Sequence, residues 1–447
     1  MHATIDAQFT VSLDQDKTLP LATLAESLTE IQLEATILEE LVRSLDERLV
    51  EAYCGEKHAR GNGDCRFQRA GTSTRTAVTT AGEHEFTLHH VKDTAATDGD
   101  PTYFRPLEDL IDFDGQRIYQ EDISLQAAEL ATSLSYRDAV AHGDGFTPMP
   151  SITTVNRRVR EYGSKLGDFV RDRLPGTNAD TVVPDGTKCH SQQDHCTYHD
   201  VNVTLGQTAE GDDTETTLLD VNVNESWDET AEALEETEAI TDDATVVSDA
   251  EKALVDAFES GDRSHQLDLV HVGRTLGYKL WKDDAFPLPE RKAIVSGVTD
   301  DLFHLKNSVA LHAPRNERLA IRERIDQTLE NLEKEAWRLE RQDSPKATTY
   351  LREWAEATVT FAELALDQQQ VPWTSNVVER AMGEVSKRCK NQWMRWSEAG
   401  LESLLWLNLV QYADPEQFAA FADELLERSA KTAITMEVSV DATRGEL

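Results

Sequence analysis

The chain has 447 residues, 39% of them hydrophobic, with 83 acidic against 44 basic residues and a formal net charge of −39. That length is too great for one core and implies roughly two to four domains; because the acids are mixed with apolar residues along the whole chain, neither a disordered acidic tail nor an adaptor for a basic partner fits. The charge reads as a solvated acidic surface suited to a very salty cytoplasm, where screening within about 3 Å at molar salt removes self-repulsion. An acidic total therefore does not exclude DNA binding, although it moves the basis of affinity from counterion release toward shape, base contacts and metal bridges.

Five cysteines (Cys54, Cys65, Cys189, Cys196, Cys389), no signal peptide and no apolar run of about 18 residues point to a reducing cytoplasm and no membrane segment. In the first region, residues 1–58, Leu21 to Val50 repeats apolar residues at three- and four-residue spacing, predicting an amphipathic helix or helix pair for core packing or self-association. Residues 59–115 are expected to form a small β unit, from the Gly, Thr and Arg content of Ala59 to Asp93 and the alternation at Glu85-Phe86-Thr87-Leu88-His89. Cys54, His58 and Cys65, with His84, His89 and His90 further on, are zinc-ligand types, but Cys-x3-His-x6-Cys matches no standard finger.

Residues 116–178 read as a helix-turn-helix DNA-binding domain. Ser124 to Leu134 and Tyr136 to Ala141 are helical, Gly143-Asp144-Gly145 with Pro148 and Pro150 breaks the chain, and Ser151 to Arg160 opens another helix. Asn156, Arg157, Arg158 and Arg160 are residue types that contact base edges or phosphates, and Arg157 to Arg173 locally reverses the acidic balance. The alternative is a three-helix packing unit.

From residue 179 the order of elements is strand (Thr181 to Pro184), two antiparallel strands (Asp200 to Gly206, Thr217 to Val223), helix (Trp227 to Glu238), strand (Ala244 to Ser248), helix (Ala250 to Glu259), strand (Leu267 to Val272) and helix. Asp185 and Asp249 sit where β-branched runs stop, at the C-terminal lip of a strand. Asp268-Leu269-Val270-His271 follows at the end of the next strand, beside the same lip. The cluster Cys189-His190, His195-Cys196-x-x-His199 matches no standard metal spacing and reads as a solvated turn. Residues 284–368 form an α-helical insertion that crosses over the site, shown by helical spacing in Ala320 to Ile325 and Ala357 to Leu366. Beyond it, Glu379 is presented from a helix in Ser375-Asn376-Val377-Val378-Glu379-Arg380. A catalytic domain thus comprises 179–283 and 369–412, and 413–447 forms a C-terminal helix and tail. Three carboxylates of this kind suit two Mg²⁺ or Mn²⁺ ions roughly 3.5–4 Å apart, as phosphodiester chemistry requires, and their crowding raises the proton affinity of one acid.

Asp185-Gly186-Thr187, Ser248-Asp249-Ala250, Asp268-x-x-His271 and Asn376-x-x-Glu379-Arg380, with Lys387, Arg388 and Lys390, resemble the DDE transposases of the Mutator-related superfamily. The whole chain is most similar to haloarchaeal insertion-sequence transposases. The resemblance implies an α/β ribonuclease H-like core with a mixed sheet, a helical insertion and a mainly helical N-terminal DNA-binding region. It implies Asp185, Asp249 and Glu379 as the triad holding two Mg²⁺ or Mn²⁺ ions, Asp268 and His271 as support for the site, and Arg380, Lys387, Arg388 and Lys390 as contacts to the transposon end. The implied activity is cleavage at terminal inverted repeats followed by strand transfer to target DNA, by a homodimer or higher oligomer in a nucleoid-associated, high-salt cytoplasm. A non-catalytic, domesticated DNA-binding protein and a ribonuclease H-like nuclease without strand transfer are the alternatives. Arg395, Trp393 and Trp396 extend the basic stretch with aromatics; Trp396 is read as sealing the helix against the sheet.

Overall fold

A five-stranded mixed sheet and a separate three-stranded antiparallel sheet organise the chain. The computed structural model describes residues 33–55, 66–94, 102–210, 213–391 and 394–426. Its contacts define two units, one of residues 1–127, 140–151 and 419–447, the other of 128–139 and 152–418.

In the first unit, helix α1 (Leu33–Cys54) lies along a hairpin of β1 (Phe67–Thr79) and β2 (Gly82–Asp93), which β3 (Thr102–Phe104) extends. Alternate residues of β2 are buried, so Phe86 and Leu88 meet Val42 of α1 together with Leu107 and Phe113. The amphipathic helix and the β unit expected there are both present; residues 21–32 of the expected helix lie outside the described residues. Among the described residues the zinc candidates do not gather. His58 and Cys65 are outside the described residues, while His84, His89 and His90 bond separately to Thr79 (3.0 Å), Asp46 (2.6 Å) and Ser73 (2.8 Å).

The helices expected as a DNA-binding domain are α2 (Glu121–Ser133), α3 (Tyr136–Gly143) and α4 (Ile152–Arg171), and the division between units runs through α2 and α3. All of α4 belongs to the second unit. Its Val155, Val159, Tyr162, Leu166 and Val170 recur at three- and four-residue spacing and are buried along α13 (Glu398–Ala413). A Cβ at Gly163 would overlap the Ser403 backbone, which is why the two axes approach so closely there.

The larger sheet has the order β6-β5-β4-β7-β8. β4 (Ala179–His190), β5 (Tyr198–Glu210) and β6 (Asp213–Val223) are antiparallel neighbours, while β7 (Ile240–Ser248) and β8 (Ser264–Leu267) run parallel to β4. Consecutive residues Val182 and Val183 are both buried, as are Val201 to Gly206, so helices cover both faces. α5 (Trp227–Glu236) starts with a capping box between Ser226 and Glu229, and short α6 (Lys252–Phe258) follows β7.

Helix α7 (Leu269–Asp283) leaves β8 and leads into α8 (Leu288–His312), α9 (Arg318–Arg341), α10 (Pro345–Trp354) and α11 (Thr360–Leu366), the expected helical insertion. Ile294, Val298, Leu302 and Leu305 of α8 pack with Ile321, Ile325, Leu332 and Leu339 of α9, and that core continues into Leu269, Val272, Leu276 and Leu280 of α7. The chain then returns through α12 (Asn376–Cys389), which packs on β4 and β5, followed by α13 and α14 (Pro415–Leu425). Among the described residues no helix is long and apolar enough to cross a membrane.

Candidate active site

Parallel pairing sets the first two acids side by side. Val182 of β4 lies opposite Val246 of β7, and Asp185 and Asp249 each follow three residues later, so they reach the same level of the sheet. β4 does not stop at Asp185 as the sequence suggests: pairing with β5 carries it to His190, and Asp185 projects from mid-strand where its β7 neighbour has ended. Asp185 is half-buried, and its Oδ1 accepts the Gly186 N–H at 2.8 Å.

Burial pushes the Asp185 carboxyl up to about 6; the Gly186 N–H and His271 oppose the rise, while the negative charges of Asp249 and Glu379 add to it. One carboxyl therefore feels groups from β4, the end of β7, α7 and the first turn of α12, which bracket the insertion in sequence. His271 Nε2 and Glu379 Oε1 are 2.6 Å apart, an ion pair when the imidazole is protonated, and this contact fixes the glutamate carboxyl.

Asp268 has a different job. Its Oδ1 accepts the N–H groups of Val270 (2.6 Å) and His271 (3.3 Å), capping α7; its Oδ2 accepts Thr374 Oγ1 (3.0 Å), Ser375 N (2.8 Å) and Ser375 Oγ (2.6 Å). The expected strand to Val272 ends at Leu267 because this cap starts a helix at Leu269. Asp268 is fully buried and clamps the start of α7 to the start of α12, thereby placing His271 against Glu379. Asp268, His271 and Glu379 offer ligand-type atoms within 4.8 Å of one another, but the five donors on Asp268 occupy both of its oxygens. Asp268 is a brace between the two helices.

Three neighbours of the site are not legible in the sequence. Glu251 accepts a hydrogen bond from the Trp227 indole and has its carboxyl raised by burial and then by Asp249. Tyr350, from α10, is held far above the ordinary phenol range by burial, with the Asp249 charge adding to the effect. The insertion thus reaches the site, and a pocket of about 300 Å³ beside Asp249 is lined by Ala250, Thr275, Lys279, Tyr350 and Trp354. The third neighbour is the outward stripe of α7.

The basic residues read as DNA contacts divide. Arg157, Arg160, Arg380, Lys387 and Lys390 are exposed, with Lys387 paired to Glu384 at 2.6 Å; Asn156 is half-buried and bonds to Tyr136. Arg158 and Arg388 correct the expectation. Arg158 is buried, 2.7 Å from Glu161 and over the Tyr162 ring. Arg388 is buried between Tyr136 and Trp396 and donates to the Ala131 carbonyl at 2.9 Å. Both guanidiniums face inward and are unavailable to DNA. Trp396 is buried as expected, its indole donating to the Cys389 carbonyl, and Trp393 lies outside the described residues. Residues 192–195 form the exposed turn expected of the Cys/His cluster, whereas Cys189 and His199 are core residues, with His199 Nε2 on the Trp396 carbonyl at 3.0 Å.

No family model and no curated protein matches this chain.

Proposed function

We propose that this protein is an insertion-sequence transposase of the DDE type, with a ribonuclease H-like core, that binds terminal inverted repeats and carries out metal-dependent DNA cleavage and strand transfer. The sheet order, with three antiparallel strands followed by two parallel ones, supports this core. The observation that carries the reading is that Asp185 on β4 lies level with Asp249 at the end of β7 and feels the charges of Asp249 and of Glu379 on α12. Hard carboxylate oxygens, one of them with proton affinity raised by burial and further by the neighbouring acids, fit Mg²⁺ or Mn²⁺, which Asp185, Asp249 and Glu379 would hold.

Two such ions, when bound, supply activation of the attacking oxygen and stabilisation of the leaving one. The chain's residues do the positioning. His271 holds one oxygen of Glu379; Asp268 fixes both helices on which that pair depends. The insertion brings Tyr350 and Trp354 against the Asp249 side. The acidic surface suits a high-salt cytoplasm, and pairing of two DNA ends by a dimer or higher oligomer follows from the reaction.

The test is cleavage of a labelled transposon-end duplex with Mg²⁺ or Mn²⁺ at high KCl, comparing wild type with Asp249→Ala. Metal-dependent cleavage lost in the variant supports the reading; DNA binding without cleavage by the wild type replaces it with a non-catalytic DNA-binding protein, and cleavage without joining to target DNA replaces it with a nuclease.

A further inference from the structure

The helix that supplies His271 carries a second feature that cleavage chemistry does not use. Residues three and four apart share a helix face, so His271, Arg274, Tyr278, Trp281 and Lys282 form one stripe leading away from Glu379. The opposite face, with Val272, Leu276 and Leu280, is buried in the insertion core. Tyr278 and Trp281 remain 49% and 58% exposed, and their rings stack at 5.8 Å between centroids with an interplanar angle of 26°. Lys282 Nζ lies 4.5 Å from the Tyr278 centroid.

Some exposed helix cations meet carboxylates, as in Arg338–Glu335, Lys334–Glu330 and Lys387–Glu384, while others, such as Arg157, Arg160 and Arg380, form no ion pair among the described residues. Arg274 and Lys282 are exposed and form no ion pair among the described residues, in a chain with 83 acids to 44 bases. Arg274 and Lys282, neither neutralised by a carboxylate and the second resting on the Tyr278 ring, lie beside two exposed rings and match an occupant that brings both negative charge and flat faces.

We propose that this face of α7 is a docking track for single-stranded DNA, the strand that continues from the phosphodiester held at the carboxylate site, with bases stacked on Tyr278 and Trp281 and phosphates facing Arg274 and Lys282. This rests on the transposase reading and adds the form of DNA that the site takes. Single strands expose base faces that a duplex hides, and such stacking tolerates any sequence. At 1.5 Å per residue, Tyr278 and Trp281 lie about 10 and about 15 Å along the axis from His271.

The full-length protein, in EDTA and high KCl, is titrated against a fluorescein-labelled oligothymidylate of about 15 nucleotides and against a blunt transposon-end duplex, with anisotropy as the readout. Tyr278→Ala and Trp281→Ala are each expected to weaken single-strand binding at least about fivefold, with duplex affinity unchanged and Trp281→Phe close to wild type. Both rings are exposed, so thermal midpoints should match wild type. Equal single-strand affinity in wild type and the double alanine variant overturns the track, as does a change in sedimentation of the variants, which makes the face a contact between copies. Wild-type binding to duplex but not to single strand defeats the track alone; binding to neither form defeats the transposase reading with it.

Discussion

Asp249 and Asp268 follow adjacent parallel strands at the same register, one residue after the paired Ser248 and Leu267, and meet opposite fates. Asp268 is fully buried and its oxygens are taken by five donors. Asp249 is half-buried, caps Glu251 N through Oδ1 at 3.1 Å, and acts electrostatically on Asp185, Glu251 and Tyr350. A carboxylate at the end of a strand is thus not functional by position alone. What separates the two is whether the protein has already satisfied the charge.

The sharpest break between them is in activity. Asp249→Ala should lower metal-dependent cleavage by at least about a thousandfold, as loss of several kcal/mol of metal-centred stabilisation implies, while leaving the urea midpoint close to wild type. A variant with near-normal initial rates would remove Asp249 from the chemistry. Asp268→Ala should do the reverse at the level of folding, costing about 3–5 kcal/mol because five donors lose their acceptor in a buried site. An unchanged urea midpoint would dismiss the brace.

Asp185 offers a pH test. Its carboxyl titrates at about 6 in the fold against about 4 unfolded, so the folded chain binds the proton more tightly. Without metal, the contribution of Asp185 to stability is greatest below about pH 4 and falls as pH rises to about 6, by up to about 3 kcal/mol. Asp185→Asn removes that fall, so in EDTA at pH 8 the variant should be more stable than wild type although inactive; chemical denaturation at pH 4 and pH 8 gives the answer, and parallel pH profiles would refute it.

The smallest effect concerns two neighbouring arginines of α4. Arg158→Ala should cost about 1–2 kcal/mol of stability through its lost Glu161 pair and stem packing, with DNA affinity unchanged, whereas Arg157→Ala should leave stability alone. If Arg158→Ala instead weakens DNA binding at constant stability, its guanidinium turns outward in the complex.

The elements that carry the candidate acids were legible because their residues have local signatures. Asp185 and Asp249 end recognisable β-branched runs, Glu379 lies on a segment of helical composition, and the insertion shows its period. Errors arose where a local pattern was overridden. Leu269 to Val272 looks like the end of a strand, yet Asp268 caps that segment into a helix by contacts that include Ser375, 107 residues away. Arg158 and Arg388 look like phosphate ligands, but each lies on the buried side of its helix beside a tyrosine.

The sequence by itself determined the kinds of element, those that carry the three candidate acids among them, and the helical character of the insertion, because period and propensity are properties of about ten neighbouring residues. Only the tertiary structure decided which charges are spent and which remain available. Burial, desolvation and the donors on an oxygen depend on groups brought together from segments far apart in the chain, and no local pattern records them.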